Sequence, residues 1–326
     1  MNRQEYIPFI LVLLFTSGAS AQSRLSRLAN KADSLLRCIY QKVDYDTTYI
    51  SRSDGKMGLK MWGNVSGMNL DSRGNDMKAG LKTDEKATLS MEVDYYDLAL
   101  ELALSPASLS GRNKDYEMNL NLYGRRYSLD ASYQMAETMR GDVTVRGQTG
   151  YMEKGWMTTN MLNVAAHYTF NYRHFSYDAP FYQFYRQKRS AGSWLAGISY
   201  QGGAVKTSKE MLDTLSNIRF YAGHFAIGGG YAYNWVPSHR WLLHVSAIPN
   251  IVVWTGDNVT IDGERQYTRT RFPTMLINGR IAAVYYFTPR SFVGFNAVAS
   301  TLLKCNSGTQ IKQRKWLARV YYGIRL

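Results

Sequence analysis

The sequence predicts an all-β fold: a single up-and-down antiparallel transmembrane β-barrel of about 12 strands, preceded by a short N-terminal amphipathic helix. Three observations predict it. Stretches of about ten residues alternate apolar positions with small or polar ones, which gives each strand one face for lipid and one for an interior. Beyond the N-terminal segment no run of about 18 apolar residues occurs, so no apolar helix is available to cross a bilayer. The links between the alternating stretches are long and short by turns. Strands can cross a membrane only if they close on themselves, because an open edge would leave backbone groups unpaired in hydrocarbon.

The 326-residue chain opens with a targeting pattern over residues 1–21. Arg3 gives a thin basic flank, partly offset by Glu5. The apolar run from Tyr6 to Phe15 is too short to span a bilayer, and Ala19-Ser20-Ala21 is a small-x-small cleavage site before Gln22. The rival reading leaves this segment in place as an anchor. No cysteine stands at the cleavage point, which argues against a lipoprotein. Export puts the chain in an oxidising compartment, where Cys38 and Cys305 either pair or stay apart. Two cysteines make no disulfide framework, and they offer no metal-ligand spacing.

Composition points the same way. The 25 tyrosines and 7 tryptophans suit the two interfaces where a ring meets headgroups. A net charge of +14 implies anionic partners. Nucleic acid is not among them, since an exported chain rarely meets it and the bases form no single cluster. The expected partners are outer-membrane lipid, lipid A or glycans, anionic solutes, and the export and barrel-assembly machinery during biogenesis. The expected location is the outer membrane, after signal cleavage.

From Gln22 to Lys42, Leu25, Leu28, Ala29, Ala32, Leu35, Leu36 and Ile39 recur at three- and four-residue steps, the spacing of an amphipathic helix. Residues 22–56 therefore read as an N-terminal periplasmic helix and an extended link closed by an Asp-Gly turn. The helix either caps the barrel or inserts as a plug. Residues 57–326 read as the barrel domain. Its strands are expected over Met57–Asn69, Lys86–Tyr95, Leu98–Leu104, Asp115–Tyr123, Arg126–Ala136 and Asn160–Tyr172. They continue over Ser193–Tyr200, Tyr221–Val236, Arg240–Trp254, Phe272–Phe287, Ser291–Leu303 and Ile311–Leu326.

Several strands declare their faces. Leu162, Val164, Ala166, Tyr168 and Phe170 oppose Asn163, Ala165, His167, Thr169 and Asn171. Trp194, Ala196, Ile198 and Tyr200 share a face in the next strand, and Phe225, Ile227, Tyr231, Tyr233 and Trp235 in the one after. In the last strand Trp316, Val320, Tyr322 and Leu326 lie opposite Lys315, Arg319, Gly323 and Arg325. The first set of each is expected to face lipid. Closure requires the last strand to pair with the first. The links near 70–85, 105–114, 137–159, 201–220, 255–271 and 304–310 are long and polar, as external loops are. Those near 96–97, 124–125, 237–239 and 288–290 are short turns. Arg173 to Gly192 falls among the short turns yet runs for twenty residues.

His174 and Ser176 stand two apart, on one face of any continued strand, with Asp178 beyond them. A histidine base beside a serine nucleophile is the arrangement of a membrane-embedded, lipid-modifying hydrolase, although an orienting group and oxyanion donors are also needed. The plainer reading makes the pair rim hydrogen-bonding residues. His167, Asn163, Asn171, Glu117, Asp130, Arg319 and Arg325 are expected to line the lumen. Side chains of both signs there suit an interior ion-pair network. His224, His239 and His244 make no ligand spacing, so neither a metal nor a cofactor is expected. Gly228-Gly229-Gly230 lies in a strand pattern and marks a bend or close packing.

The long link carries Phe181, Tyr182, Phe184 and Tyr185, then Arg186, Lys188 and Arg189. Tyr182, Tyr185 and the three bases either grip anionic headgroups or a partner at the rim, each base contributing about 1 kcal/mol near an anionic surface, or the link folds into the lumen and closes it. The strings DTTYI at 46–50, NLYGRRYSLDASYQ at 121–134, the stretch from Tyr168 to Gly197, and GGGYAYNWVPSHRW at 228–241 resemble an uncharacterised family of exported Bacteroidetes proteins, a domain-of-unknown-function family. The sharpest likeness lies in Asn171–Tyr177 and Gln187–Ser193. The resemblance implies an outer-membrane-type β-barrel and assigns no activity to any residue. The functions left open are a narrow channel or transporter for small anionic molecules, a structural envelope protein, the hydrolase, and a binding module for envelope partners.

Overall fold

Alternation of apolar and polar side chains has the two-residue period of a strand, and the chain follows it from end to end. The computed structural model describes residues 44–326, apart from 54, 56, 75–76, 96–97, 105–114, 146, 208–217, 262–263, 268–273 and 307–308. The expected signal peptide, the Gln22–Lys42 helix and Cys38 lie outside the described residues. Among the described residues every regular element is a strand.

The first, β1 (Ile50–Arg52), belongs to the link that precedes the barrel. The barrel strands are β2 (Met57–Arg73), β4 (Lys86–Tyr95), β5 (Leu98–Leu104), β6 (Tyr116–Tyr123), β7 (Tyr127–Ala136) and β10 (Met157–Thr169). After them come β12 (Ala191–Thr207), β13 (Ile218–Ser238), β14 (Trp241–Thr255), β17 (Met275–Tyr286), β18 (Ser291–Asn306) and β19 (Thr309–Arg325). Each coincides with one of the twelve stretches picked out by alternation. Antiparallel pairings with neighbours in chain order run around the ring, and β5 and β6 adjoin in the sheet order. β19 returns to β2 with Arg319 opposite Asn64, so the last barrel strand closes on the first.

Two differences from the expected layout have a common cause. β12 runs on to Thr207 and pairs with the start of β13, Gln201 opposite His224 and Lys206 opposite Arg219. Within the long links lie β3 (Met77–Lys82), β8 (Arg140–Val145), β9 (Gln148–Met152), β15 (Asn258–Ile261) and β16 (Glu264–Tyr267). These segments prolong the wall past the membrane, where neither face needs to be apolar. Alternation therefore gives no sign of them.

The two faces divide as expected. Leu162, Phe170, Trp194, Ile198, Ile227, Tyr231, Val320 and Tyr322 are exposed outward, whereas His167, Thr169, Ala226, Ala232, Asn234, Arg319 and Arg325 are buried inside. So continuous an apolar outer surface belongs in hydrocarbon, and the fold is a transmembrane β-barrel. At Gly228 and Gly230 a Cβ would strike the backbone of β14 around Pro249, Asn250 and Ala247, so close packing is the reason for glycine there.

The short connections gather at one end of the barrel. At that end the link of residues 170–190, joining β10 to β12, turns inward, and Phe175–Tyr185 fill the lumen. Phe175, Tyr177, Phe181, Tyr182, Phe184 and Tyr185 form one apolar cluster with Tyr123, Leu195, Ile248 and Ala282 of the wall. The largest apolar cluster among the described residues thus lies inside the barrel at the short-turn end.

Candidate functional site

The inserted link is built from tight turns. The amides of Phe181 and Tyr182 both bond the Asp178 carbonyl at 2.9 Å. Asp178 Oδ2 accepts the Tyr185 amide at 2.9 Å, and the Ser176 hydroxyl accepts the Ala179 amide at 3.2 Å. Gln183 takes a φ of 57°, which among the described residues no other non-glycine shares. That left-handed conformation aims its amide at Tyr321, to which Nε2 donates at 2.6 Å. β11 (Tyr185–Gln187) then pairs antiparallel with β1, Ile50 opposite Gln187 and Arg52 opposite Tyr185. The segment before the barrel is thereby stitched to the link inside it.

The wall holds the link with polar contacts as well as rings. Arg325 donates to the Tyr182 carbonyl at 2.6 Å and to Asp94 at 3.0 Å. Lys60 lies 2.5 Å from Glu92 and 3.2 Å from Asp94, with its ammonium 5.1 Å from the Tyr182 ring. Two cations and two carboxylates thus compensate one another while the cations also face aromatic rings. Asn234 Nδ2 donates to the Ser176 carbonyl at 2.7 Å, and Arg280, paired with Asp130 and Tyr123, lies 5.7 Å from the rings of Tyr177 and Phe181. Burial pushes the Tyr177 phenol above its usual range.

His174 and Ser176 are not brought together. His174 stays half-buried at the rim, its Nδ1 3.0 Å from Asn171 Oδ1 and its Nε2 3.5 Å from Asp46. Ser176 and Asp178 are each 1 % exposed, with the bonds to the turn just described. The rim carboxylate Asp46 is held below the usual aspartate range by the Thr48 hydroxyl and amide, with smaller help from His174 and Arg189.

The aromatic-basic run divides between two places. Tyr182 and Tyr185 are buried in the lumen, whereas Lys188 and Arg189 are exposed at its mouth. Lys188 donates to the Thr47 carbonyl at 2.8 Å, and Arg186 donates to the His239 carbonyl and lies 4.5 Å from the Tyr286 ring. Of the expected lumen residues, Asn163 bonds Ser132 at 3.4 Å and His167 meets the Tyr177 ring edge-on at 4.3 Å. Arg319 lies 5.3 Å from the Trp62 ring, and Asn171 sits at the rim, donating to the Gly192 carbonyl at 2.8 Å. The Glu117 side chain is outside the described residues.

Sequence reasoning missed Lys60, Asn234, Arg280, Tyr321 and Gln187, which do most to seat the link. The first four are interior positions by parity, and a charge such as Arg280 amid the apolar MLINGRIAAVYY of β17 is a signal that could have singled it out.

Toward the long-loop end the lumen narrows again. Gln313 donates to the sulfurs of Met68 at 3.1 Å and Met161 at 2.8 Å, and accepts from Gln201 at 3.3 Å. Between this crossbar and the link a cavity remains at mid-height.

These features define a transmembrane β-barrel filled from one end by its own connection. The chain belongs to the family described as Domain of unknown function (DUF4421), which it matches over residues 44–325. No curated protein matches it. Among solved structures it is similar to the outer membrane protease OmpT from Escherichia coli, at 10 % identity over 88 % of this chain and 100 % of that one, with a TM-score of 0.48. It is also similar to the outer membrane protein OprG from Pseudomonas aeruginosa, at 9 % identity over 86 % and 100 %, TM-score 0.28. The toluene transporter TodX from P. putida matches at 8 % identity over 84 % and 90 %, TM-score 0.26. Likenesses of this depth carry nothing about chemistry, and the barrel rests on its own strand pairings.

Proposed function

We propose that this protein is an outer-membrane barrel that is shut at rest, with residues 170–190 as the closing element at a periplasmic, short-turn end, and that it admits small anionic solutes. The observation that carries this is the burial of the link: Phe175, Tyr177 and Ala179 are each 0 % exposed inside the ring of strands. Short turns of bacterial barrels face the periplasm, which gives the orientation. The positive charge of the chain favours anions over cations. Lipid of the outer membrane is the partner of the apolar outer face, and the exposed Lys188 and Arg189 suit its anionic headgroups at the rim.

Single-molecule conductance in planar bilayers tests the closed state. The full chain should give flat traces. A variant with residues 174–186 replaced by a short Gly-Ser turn should conduct, with chloride preferred to potassium, while keeping the heat-modifiable gel mobility of a folded barrel. Steady, wide conductance from the unaltered protein would overturn the proposal.

A further inference from the structure

β12 starts at the short-turn rim and runs past the far edge of the apolar belt. Trp194 and Ala204 are outward positions ten residues apart on it, about 33 Å along the strand. At a tilt of about 40° that is about 25 Å of height, the thickness of the apolar band of such barrels. Lys206, the next outward position, therefore stands at headgroup level on the long-loop side. It lies directly opposite Arg219 of β13, and both are exposed. Two like charges facing each other across a strand pair are destabilising, and an anion set between them relieves the repulsion. Among the described residues neither base forms an ion pair. Asp257, beside Asn258 of β15, is buried inside and held by Lys304.

On the same outer face, directly below this pair of bases, lies a groove of about 410 Å³. Small-molecule sites run from about 300 to 1,000 Å³. Tyr133, Leu162, Tyr221 and Trp254 wall the groove, each more than a third exposed. Its floor is made of Gly202 and Ala204 of β12 and Gly223 of β13. A Cβ at Gly202 would strike the Tyr200 hydroxyl, and one at Gly223 would lie 3.3 Å from that hydroxyl and 3.5 Å from the Trp254 ring. The groove thus exists because β12 and β13 carry little bulk where the rings lie over them. Ala204 faces Tyr221 one step below Lys206 and Arg219, about 7 Å along the strands, so one molecule can reach both features.

We propose that the groove and the two bases form a site for one phosphorylated membrane lipid, with an acyl chain in the groove and its phosphate between Lys206 and Arg219. Phosphate oxygens accept charge-assisted hydrogen bonds from both cations, and the chain gains contact with the apolar walls. The site needs the barrel and its belt but not the closed link. The periplasmic orientation proposed for the short turns puts it in the outer leaflet, and the matching lipid there is lipid A.

The test is native mass spectrometry of the full chain, released from detergent micelles after titration with lipid A, phosphatidylglycerol or diacylglycerol, and with inorganic phosphate as competitor. One lipid A should be retained, at a concentration at least about tenfold lower than diacylglycerol requires. Lys206→Gln combined with Arg219→Gln should weaken retention by about tenfold, and so should Ala204→Trp, which fills the groove. Lys188→Gln with Arg189→Gln, at the opposite rim, should leave it unchanged. Heat-modifiable gel mobility shows that each variant is folded. Lipid A held no better than diacylglycerol, undiminished retention in the base and groove variants, or full displacement by millimolar phosphate would each overturn the site. Retention of phosphatidylglycerol with exclusion of lipid A would keep the site and overturn the orientation. Loss of both lipids with flat conductance would strike the site and leave the closed state standing.

Discussion

Gln187 uses both ends of its amide on the inserted link. Oε1 accepts from the Ser176 amide at 2.9 Å and from Asn234 at 3.1 Å, while Nε2 donates to the His174 carbonyl at 2.6 Å and the Arg189 carbonyl at 2.9 Å. Gln187→Ala would leave several buried backbone groups unpaired, at a cost of about 2–4 kcal/mol. Trypsin should then cut the variant at Arg173 and Arg186 under conditions that spare the parent, and an equal cleavage rate in both would refute the role. Two other residues tie the link to pH with opposite signs. The Tyr177 phenol is raised by burial, so its contribution is complete below the ordinary value of 10.0 and is lost as pH rises through the higher folded value. Asp46 is lowered, so its contribution is present above the ordinary value of 3.8 and is lost as pH falls through the folded one. Tyr177→Phe keeps the ring and removes the proton. Its alkaline midpoint for exposure of the link to trypsin should move upward relative to the parent, and an unmoved midpoint would assign that transition to other groups.

At the scale of elements, the link is a foreign body that the wall must hold, and Lys60, Glu92, Asp94 and Arg325 do so as a buried, mutually bonded quartet from β2, β4 and β19. Lys60→Met leaves one cation for two buried carboxylates, a change that typically costs about 3–5 kcal/mol. A guanidinium titration should show that loss. Pairing Lys60→Met with Glu92→Leu restores the balance and should recover most of it; no recovery would mean that the quartet is not coupled. The twelve barrel strands were legible because each must present lipid with an apolar face at every second residue. β3, β8, β9, β15 and β16 were not, since strands beyond the bilayer lie under no such constraint. The length of the link was legible too, as a twenty-residue insertion among short turns. Its destination was not: Tyr182 and Tyr185 followed by Arg186 and Lys188 suit a headgroup rim as well as a lumen. The choice is made by Asn234, Tyr321 and Arg325, which lie about sixty to one hundred and forty residues further along the chain. The mid-height cavity was hidden for a related reason, since lining residues such as Asn121, Asn278 and Asn296 come from three strands and share no local motif.

Across the membrane belt, the molecule inverts the usual arrangement of a soluble protein: the outer surface is apolar, while the ion pairs of Lys60, Arg280 and Arg325 are buried inside. Trp194 is 66 % exposed and Ile198 51 %, two outward positions of β12 separated by one turn of the pleat from Ala196. Trp194 lies near the short-turn rim, three residues after the strand begins, and Ile198 lies further in toward the middle of the belt. The cost of an outward cation depends on depth in a bilayer, about 2–4 kcal/mol at the midplane and about 0–1 near an interface. Ile198→Arg should therefore lower the stability of the barrel folded into lipid vesicles by about 2–4 kcal/mol, and Trp194→Arg by about 0–1 from the charge, apart from the loss of ring contact with Tyr231. Reversible guanidinium unfolding in vesicles, followed by the shift of tryptophan emission, measures both. A β-barrel standing in water would show no such dependence on depth, because an exposed arginine at position 198 would meet solvent and cost almost nothing. Equal, small effects at the two positions would therefore remove the membrane from the description of this fold.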